Sequence, residues 1–183
     1  IRTDDRRQDL VRYLDPEGAY MTIASGFAQT IRRYNEIGWK IREEYLDLEG
    51  ESVLRSNGCA CQEWVYDLIG NAVELHYYGT EGEPVLTTGG WSWCKRVFNA
   101  RKQTIREEYF DVQNAPALTT SHYAAVEWDR DEVGRAVRER YYGLDGNLIN
   151  RAEGYATVER EYDLAGNLVS ERKTDLSGNV IEG

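Results

Sequence analysis

The sequence predicts an all-β protein, an elongated antiparallel β-hairpin repeat solenoid with a 32-residue period, and three observations lead there. The first is self-similarity. Gly26-Phe27-Ala28, Gly58-Cys59-Ala60, Gly90-Trp91-Ser92, His122-Tyr123-Ala124 and Gly154-Tyr155-Ala156 begin at steps of 32 residues with no gap, and a fixed period of this length is the mark of a repeat array. The second is recurring turn chemistry, in which Asp or Asn is followed three residues later by Gly. The third is period-two patterning, rich in β-branched and aromatic residues, between those turns.

Complete repeats run over 26–57, 58–89, 90–121 and 122–153, with a terminal repeat at 154–183. A partial repeat fills 1–25, where Tyr13-Leu14 and Gly18 fall in the frame of Tyr45-Leu46 and Gly50. The chain, 1–183, therefore reads as a single repeat array. In the terminal repeat Ala156, Val158, Arg160 and Tyr162 share one face of a strand, and Val169 and Glu171 share a face on the next. Between them lies Asp163-Leu164-Ala165-Gly166-Asn167. Its Asp can cap backbone amides, and its Gly can take the left-handed conformation that closes a type I turn with a G1 bulge. Pairing across such turns predicts Tyr34 opposite Ile41, Tyr66 opposite Val73, Phe98 opposite Ile105 and Tyr162 opposite Val169.

A second reversal, as in Tyr141-Tyr142-Gly143-Leu144-Asp145-Gly146-Asn147, should lead into a short strand at Leu148-Ile149. A polar connector from Asn150 to Glu153 then reaches the next repeat. One hairpin is marginal in water, so the repeats must stack. Arg42-Glu43-Glu44-Tyr45 and Arg106-Glu107-Glu108-Tyr109 also fit a helix by composition, but the spacing of the turn signals opposes that reading.

Composition narrows the function. Three Phe and one Met stand beside thirteen Tyr and five Trp, so the apolar mass sits mostly in rings with a polar handle. A formal charge of −10 disfavours nucleic-acid backbones and anionic lipid head groups as partners. No apolar run approaches the roughly 18 residues that cross a bilayer, so no membrane insertion is expected. Ile1-Arg2-Thr3-Asp4-Asp5 is not a signal peptide. The first residue is not Met and the array opens partway through a repeat, as expected of a stretch of a longer protein.

Cys59, Cys61 and Cys94 are read as free structural thiols, because residues two apart on a strand are poorly placed to bridge. No His/Cys set at zinc spacing accompanies them, and the Asp-x-x-Gly-Asn turns supply too few oxygens for calcium, so neither metal nor cofactor is expected. His76 and His122 occupy unrelated repeat positions, and no catalytic constellation is legible, so an enzyme is not expected. Glu43, Glu107, Glu139 and Glu171 recur at one position and read as a solvated strand face.

The aromatic residues carry the functional expectation. Tyr34, Tyr66, Phe98 and Tyr162 recur beside the first turn and read as core. Trp64 and Trp128 alternate with Arg32, Arg96 and Arg160 at one position, as at a half-exposed site that accepts either an indole or a guanidinium. Trp91 and Trp93 place two rings on one strand face. Rings at the second turn, Tyr45, Tyr77-Tyr78, Tyr109-Phe110 and Tyr141-Tyr142, are the candidates for outward-facing clefts between hairpins. Exposed rings in acidic surroundings would suit a choline-like cation, and flat rings also stack on sugars.

The Tyr-Asp-x-x-Gly-Asn stretches at Tyr66 to Asn71 and Tyr162 to Asn167 resemble the tyrosine-aspartate repeats of large bacterial surface and toxin-shell proteins. The Tyr-Tyr-Gly-x-x-Gly stretches at Tyr77 to Gly82 and Tyr141 to Gly146 look like the cell-wall-binding repeats of choline-binding and glucan-binding proteins. Both families are β-hairpin arrays. The chain departs from the pattern at Lys102 and Asn114, where Gly is usual, and at Lys173-Thr174, which replaces the aromatic pair.

The resemblance implies a non-enzymatic module that binds cell-wall polysaccharide or a choline-like ligand, at the bacterial surface or secreted, as part of a larger protein. The competing expectation is a protein-interaction or spacer module whose partner is another protein. Burial of the second-turn pairs between hairpins would favour the latter.

Overall fold

A computed structural model of the chain describes residues 7–181. Residues 1–6 and 182–183, expected to belong to a leading partial repeat and a terminal one, lie outside the described residues. All regular structure is β. The strands are β1 (Arg7–Arg12), β2 (Gln29–Tyr34), β3 (Lys40–Leu46), β4 (Cys61–Tyr66), β5 (Ala72–Tyr78) and β6 (Trp93–Phe98). They continue with β7 (Thr104–Phe110), β8 (Ala125–Arg130), β9 (Ala136–Tyr142), β10 (Thr157–Tyr162) and β11 (Leu168–Thr174). Contacts divide the chain into two compact units, Ile1–Trp93 and Cys94–Gly183. In the first, β1 to β5 pair antiparallel in sequence order. In the second, β7 to β11 do the same.

The first turns form as their residues dictate. In the first hairpin the Gly38 amide donates to Asn35 O at 3.0 Å, and the Asn35 amide donates to Trp39 O at 2.9 Å. In the next, Asp67 Oδ1 accepts from the amides of Ile69 and Asn71 at 3.0 and 2.9 Å. In the hairpins β2–β3, β4–β5, β8–β9 and β10–β11 the turn is followed by a bulge that shifts the pair beside it. Tyr34 faces Lys40, Tyr66 faces Ala72 and Tyr162 faces Leu168, one residue short of the β-branched partners expected from the sequence. Beyond that pair the ladders keep the expected register, with Arg33 opposite Arg42, Val65 opposite Glu74 and Glu161 opposite Ser170.

The second reversal also closes on a bulge turn, with the Gly50 amide on Asp47 O and the Gly146 amide on Gly143 O. The strand expected at Leu148-Ile149 reduces to a single bridge, Tyr142 to Leu148, and a bond from the Ile149 amide to Tyr141 O. The connector is a third turn of the same kind, in which the Gly58 amide donates to Arg55 O at 2.8 Å and the Arg55 amide to Cys59 O. This explains the glycines at 26, 58, 90 and 154, each at positive φ in such a turn.

Among the described residues, Lys102, Asn114 and His122 alone adopt positive φ without being glycine, at 60°, 65° and 63°. Each stands where the other hairpins place a left-handed Gly, so each carries the steric cost of that conformation.

The closing turns and connectors bring their residues over one face of the hairpins, and that face is the core. Thr30, Gln62, Cys94, Val126 and Val158, at equivalent places on the opening strands, are all buried. Beside them lie the first rings of the second-turn pairs. Phe27 packs between Tyr13 and Tyr45, with ring centroids 5.6 and 4.8 Å away. In the second unit Tyr109, Tyr123, Tyr141 and Tyr155 follow one another at 5.9, 5.0 and 5.9 Å. The three cysteines are buried, and burial pushes the Cys61 thiol up to about 12.

Candidate functional site

The two rings of each second-turn pair face opposite ways, as neighbours on a strand must. Tyr45, Tyr77, Tyr109 and Tyr141 are buried in the core face. Tyr78, Phe110 and Tyr142 are half-buried on the opposite face. The first-turn rings expected as core, Tyr34, Tyr66, Phe98 and Tyr162, are half-buried instead. The expected division therefore fails at the first ring of each second-turn pair, which is core, while its partner is half-buried like the first-turn rings. The connectors cover the second-turn end of the hairpins, whereas the first-turn end has no such cover and its rings act as struts. Tyr66 Oη donates to Lys40 O at 2.8 Å in the preceding hairpin, and Tyr162 Oη to Ala136 O at 3.4 Å. Arg130, which replaces the ring in the fourth hairpin, donates through Nε to the equivalent carbonyl, Thr104 O, at 2.8 Å.

Of the recurring glutamates only Glu171 is exposed. Glu43 is buried and takes Arg32 and Lys40 at 2.7 Å each. Burial acts to raise its pKa, and the hydrogen bonds from Lys40 and Arg32 overcome this and hold it below the usual range. Glu107 takes Arg96, and Glu139 takes Arg160 from the next hairpin at 2.6 Å. The opposing residues account for the alternation of Trp and Arg. Arg32 faces Glu43 and Arg160 faces Glu171, but Trp64 faces Leu75, which stands at the glutamate position. Of the two tryptophans only Trp128 faces a glutamate, Glu139, and Arg160 of the next hairpin supplies the counter-charge.

The buried tyrosines are engaged at both hydroxyl and ring. Tyr109 Oη donates to Glu107 at 2.7 Å, and Tyr141 Oη donates to Glu139. Burial first, and the adjacent carboxylate second, push both phenols up. Arg151 lies 5.5, 4.9 and 5.2 Å from the rings of Tyr123, Tyr141 and Tyr155. Arg55 lies 4.9 Å from the Tyr45 ring and donates to its hydroxyl at 2.9 Å. The half-buried rings are occupied in the same way: Lys40 Nζ sits 4.2 Å over Trp64, Arg106 5.2 Å over Tyr142 and Arg130 6.0 Å from Trp128.

Trp91 and Trp93 do not share a face. Trp91 precedes β6 and lies 5.1 Å from Tyr77 on the core side, while Trp93 stacks on His76 at 5.0 Å with an 8° interplanar angle. Strand alternation does not extend through the turn that carries Trp91. His76 Nε2 also bonds Glu74 at 2.9 Å, and His122 occupies an exposed turn.

Two openings collect candidate residues. In the first unit a groove of about 710 Å³ brings Trp64 and Tyr78 together with Trp39, Tyr66, Ile37 and Leu68. Sequence reasoning missed Trp39, which stands where other hairpins have Asn71, Gln103, Arg135 or Asn167. Its ring lies 5.2 Å from Tyr66 and rests on Gly70, where an added Cβ would come within 2.7 Å of the indole. That exception at an otherwise polar position was the available signal. In the second unit Phe110 and Tyr142 share a cleft of only about 100 Å³ with Tyr109, Pro116 and Arg106. Among the described residues no three His, Cys, Asp or Glu side chains converge on a metal-sized site.

These features define an all-β protein of consecutive antiparallel hairpins cross-braced by ion pairs and rings. No protein-family model matches the chain, and no curated protein matches it. Among solved structures it is similar to the crystal structure of TcdB2-TccC3-TEV at 12% identity and a TM-score of 0.21, over 91% of this chain and 11% of that one. The chain thus spans about a tenth of the length of that neighbour, and a likeness at this score carries no argument about fold or role.

Proposed function

We propose that the chain is a non-enzymatic scaffold, a stretch of hairpin solenoid with a 32-residue period that spaces or presents parts of a larger bacterial surface or secreted protein. Its partner is another polypeptide rather than a small ligand bound at every hairpin. The observation that carries this reading is the burial of Tyr45, Tyr77, Tyr109 and Tyr141. A ring that fills the core cannot also receive a ligand.

Self-occupation points the same way. Arg55 and Arg151 already stand against the buried rings, and Lys40 stands over Trp64. A choline-like cation would have to displace a tethered guanidinium or ammonium from each, which removes most of the cation–π gain.

The groove around Trp39, Trp64, Tyr66 and Tyr78 supports a second reading, a single glycan-stacking site. Its volume lies in the range of ligand pockets, and it mixes aromatic walls with Arg33, Arg42, Asn35 and Glu63. Calorimetric titration of the intact chain with choline and with cell-wall polysaccharide separates the two. The scaffold reading expects no heat with either. Polysaccharide heat abolished by Trp39→Ala would establish the glycan site instead, and choline heat at several equivalent sites would overturn the scaffold.

A further inference from the structure

We infer that the groove between hairpins β2–β3 and β4–β5, inside the first unit, docks a proline-rich polypeptide segment in the polyproline II conformation with Lys or Arg beside its prolines. The inference rests on the scaffold reading and names the class of polypeptide that the scaffold takes.

Among the described residues the β3–β4 ladder ends at Arg42 and Glu63. The groove of about 710 Å³ runs on from there over the two first turns, and apolar side chains meet solvent along it. Ile37 is 65% exposed and Leu68 fully exposed, with Ile41 and Val65 exposed as well. Trp39 and Tyr66 line it as a tilted pair, 5.2 Å between centroids.

The fold does not demand such a lining. In the corresponding cleft of the second unit, Arg101, Gln103, Arg130 and Glu132 stand where Ile37, Trp39, Tyr66 and Leu68 stand in the first. The strut between hairpins survives the exchange, because Arg130 Nε bonds Thr104 O as Tyr66 Oη bonds Lys40 O. Hairpins therefore stack equally well over a polar cleft. Contiguous apolar area left exposed beyond that need marks an interaction surface.

Polar side chains at the groove are already engaged. Arg33 and Arg42 each bond Glu44 at 2.7 Å, and Arg42 also bonds Glu63. Asn35 Oδ1 receives the Trp39 amide, Asp67 caps its own turn, and His76 bonds Glu74. Little is left to orient sugar hydroxyls. Rings and aliphatic side chains remain, and these suit prolines: polyproline II has no internal hydrogen bonds to protect, loses little entropy on docking, and lays its rings into aromatic-lined grooves.

Charge selects the flanks of the segment. Glu44, Glu63, Asp67 and Glu74 outnumber Arg33 and Arg42 around the groove, and the exposed Glu36 adjoins Ile37. Over residues 1–93 sixteen Asp and Glu stand against nine Lys and Arg. Such a field draws in a cationic segment and repels an acidic one.

The test uses the whole chain and the fluorescein-labelled peptide Arg-Pro-Pro-Leu-Pro-Pro-Leu-Pro-Arg, beside a sibling with Glu in place of both Arg. Anisotropy is expected to rise and saturate with the first, and the sibling should bind roughly tenfold more weakly, a gap that narrows in high salt. Ile37→Arg installs the second unit's residue at an exposed turn position. It is expected to weaken binding roughly tenfold or more while the thermal melt stays near that of the parent. Nuclear magnetic resonance gives a readout on the parent chain: the Trp39 indole N–H signal should shift with peptide and that of Trp128 should stay.

No saturable binding up to roughly millimolar peptide overturns the proposal. So does binding that ignores Ile37→Arg, that leaves the Trp39 signal unmoved, or that is equal for the two peptides. Heat from cell-wall polysaccharide with no peptide binding would make the occupant a glycan and overturn the scaffold reading as well. Silence of both ligands overturns this inference alone, so the two failures are distinguishable.

Discussion

Replacing Tyr141 tests most directly whether the second-turn rings are core or binding surface. The ring is 3% exposed. It lies 5.0 Å from Tyr123 and 5.9 Å from Tyr155, with Arg151 4.9 Å from its centroid. Truncation of a buried aromatic to Ala costs about 3–5 kcal/mol, and aromatic pairs add about 0.5–1.5 kcal/mol beyond area. Tyr141→Ala is therefore placed at about 4–5 kcal/mol. Tyr141→Phe keeps the ring and removes only the hydroxyl, which serves Glu139 and receives Arg151 Nη1 at 3.2 Å. Glu139 keeps Arg160, so the loss should be about 1–2 kcal/mol. Urea denaturation followed by tyrosine and tryptophan fluorescence gives both values, and hydrogen exchange in Cys94–Gly183 localises them. A cost below about 1 kcal/mol for Tyr141→Ala, the scale of surface substitutions, would refute the assignment of this ring to the core.

Three further outcomes follow from the same geometry. His122→Gly should relieve about 1–2 kcal/mol of left-handed strain against about 0.5–1 kcal/mol of added chain entropy, raising the melting temperature by roughly 1–4 °C; a lower melt would contradict it. Trp64→Arg places a charge against Leu75 and should cost about 2 kcal/mol, with Leu75→Glu restoring at least half in the double variant; a purely additive double-mutant cycle would remove the pairing argument.

Acid should destabilise the chain. Glu43, Glu44, Glu127 and Glu171 sit below their ordinary 4.5 because hydrogen bonds and charge from Arg, Lys or Tyr partners outweigh burial. Carboxyls lowered by folding contribute stability that is complete above the ordinary value and is lost as pH falls through the lowered folded value. Urea midpoints taken from pH 7 to pH 3 should hold until about 4.5 and then fall, and a midpoint that rises on acidification would contradict the ion-pair assignments.

Much of the local structure was legible. Asp67 and Gly70 announce their turn because a carboxylate can cap two amides and glycine alone enters the left-handed region without strain. Lys102 and Asn114 were visible as departures from the repeat, and they are two of the three strained residues. The ladder register was legible, and only the pair beside the turn was missed, because a bulge there inserts one residue that period-two counting passes over. The glutamate row was misread because its partners are 11 residues away across the turn or 21 away in the next hairpin, as for Arg32–Glu43 and Arg160–Glu139. Trp39 was missed because its support, Gly70, belongs to another hairpin.

The sequence by itself determined the positions of strands and turns, since these rest on backbone preference and capping within a few residues. Strand alternation also requires the two rings of Tyr141-Tyr142 to point to opposite faces, although the pair was expected to face outward together. Tertiary structure decided which of those faces is the core. That choice depends on where the connectors lie and which charges they deliver, as Arg151 shows by standing against Tyr123, Tyr141 and Tyr155 at once. Such contacts join residues that share no local pattern.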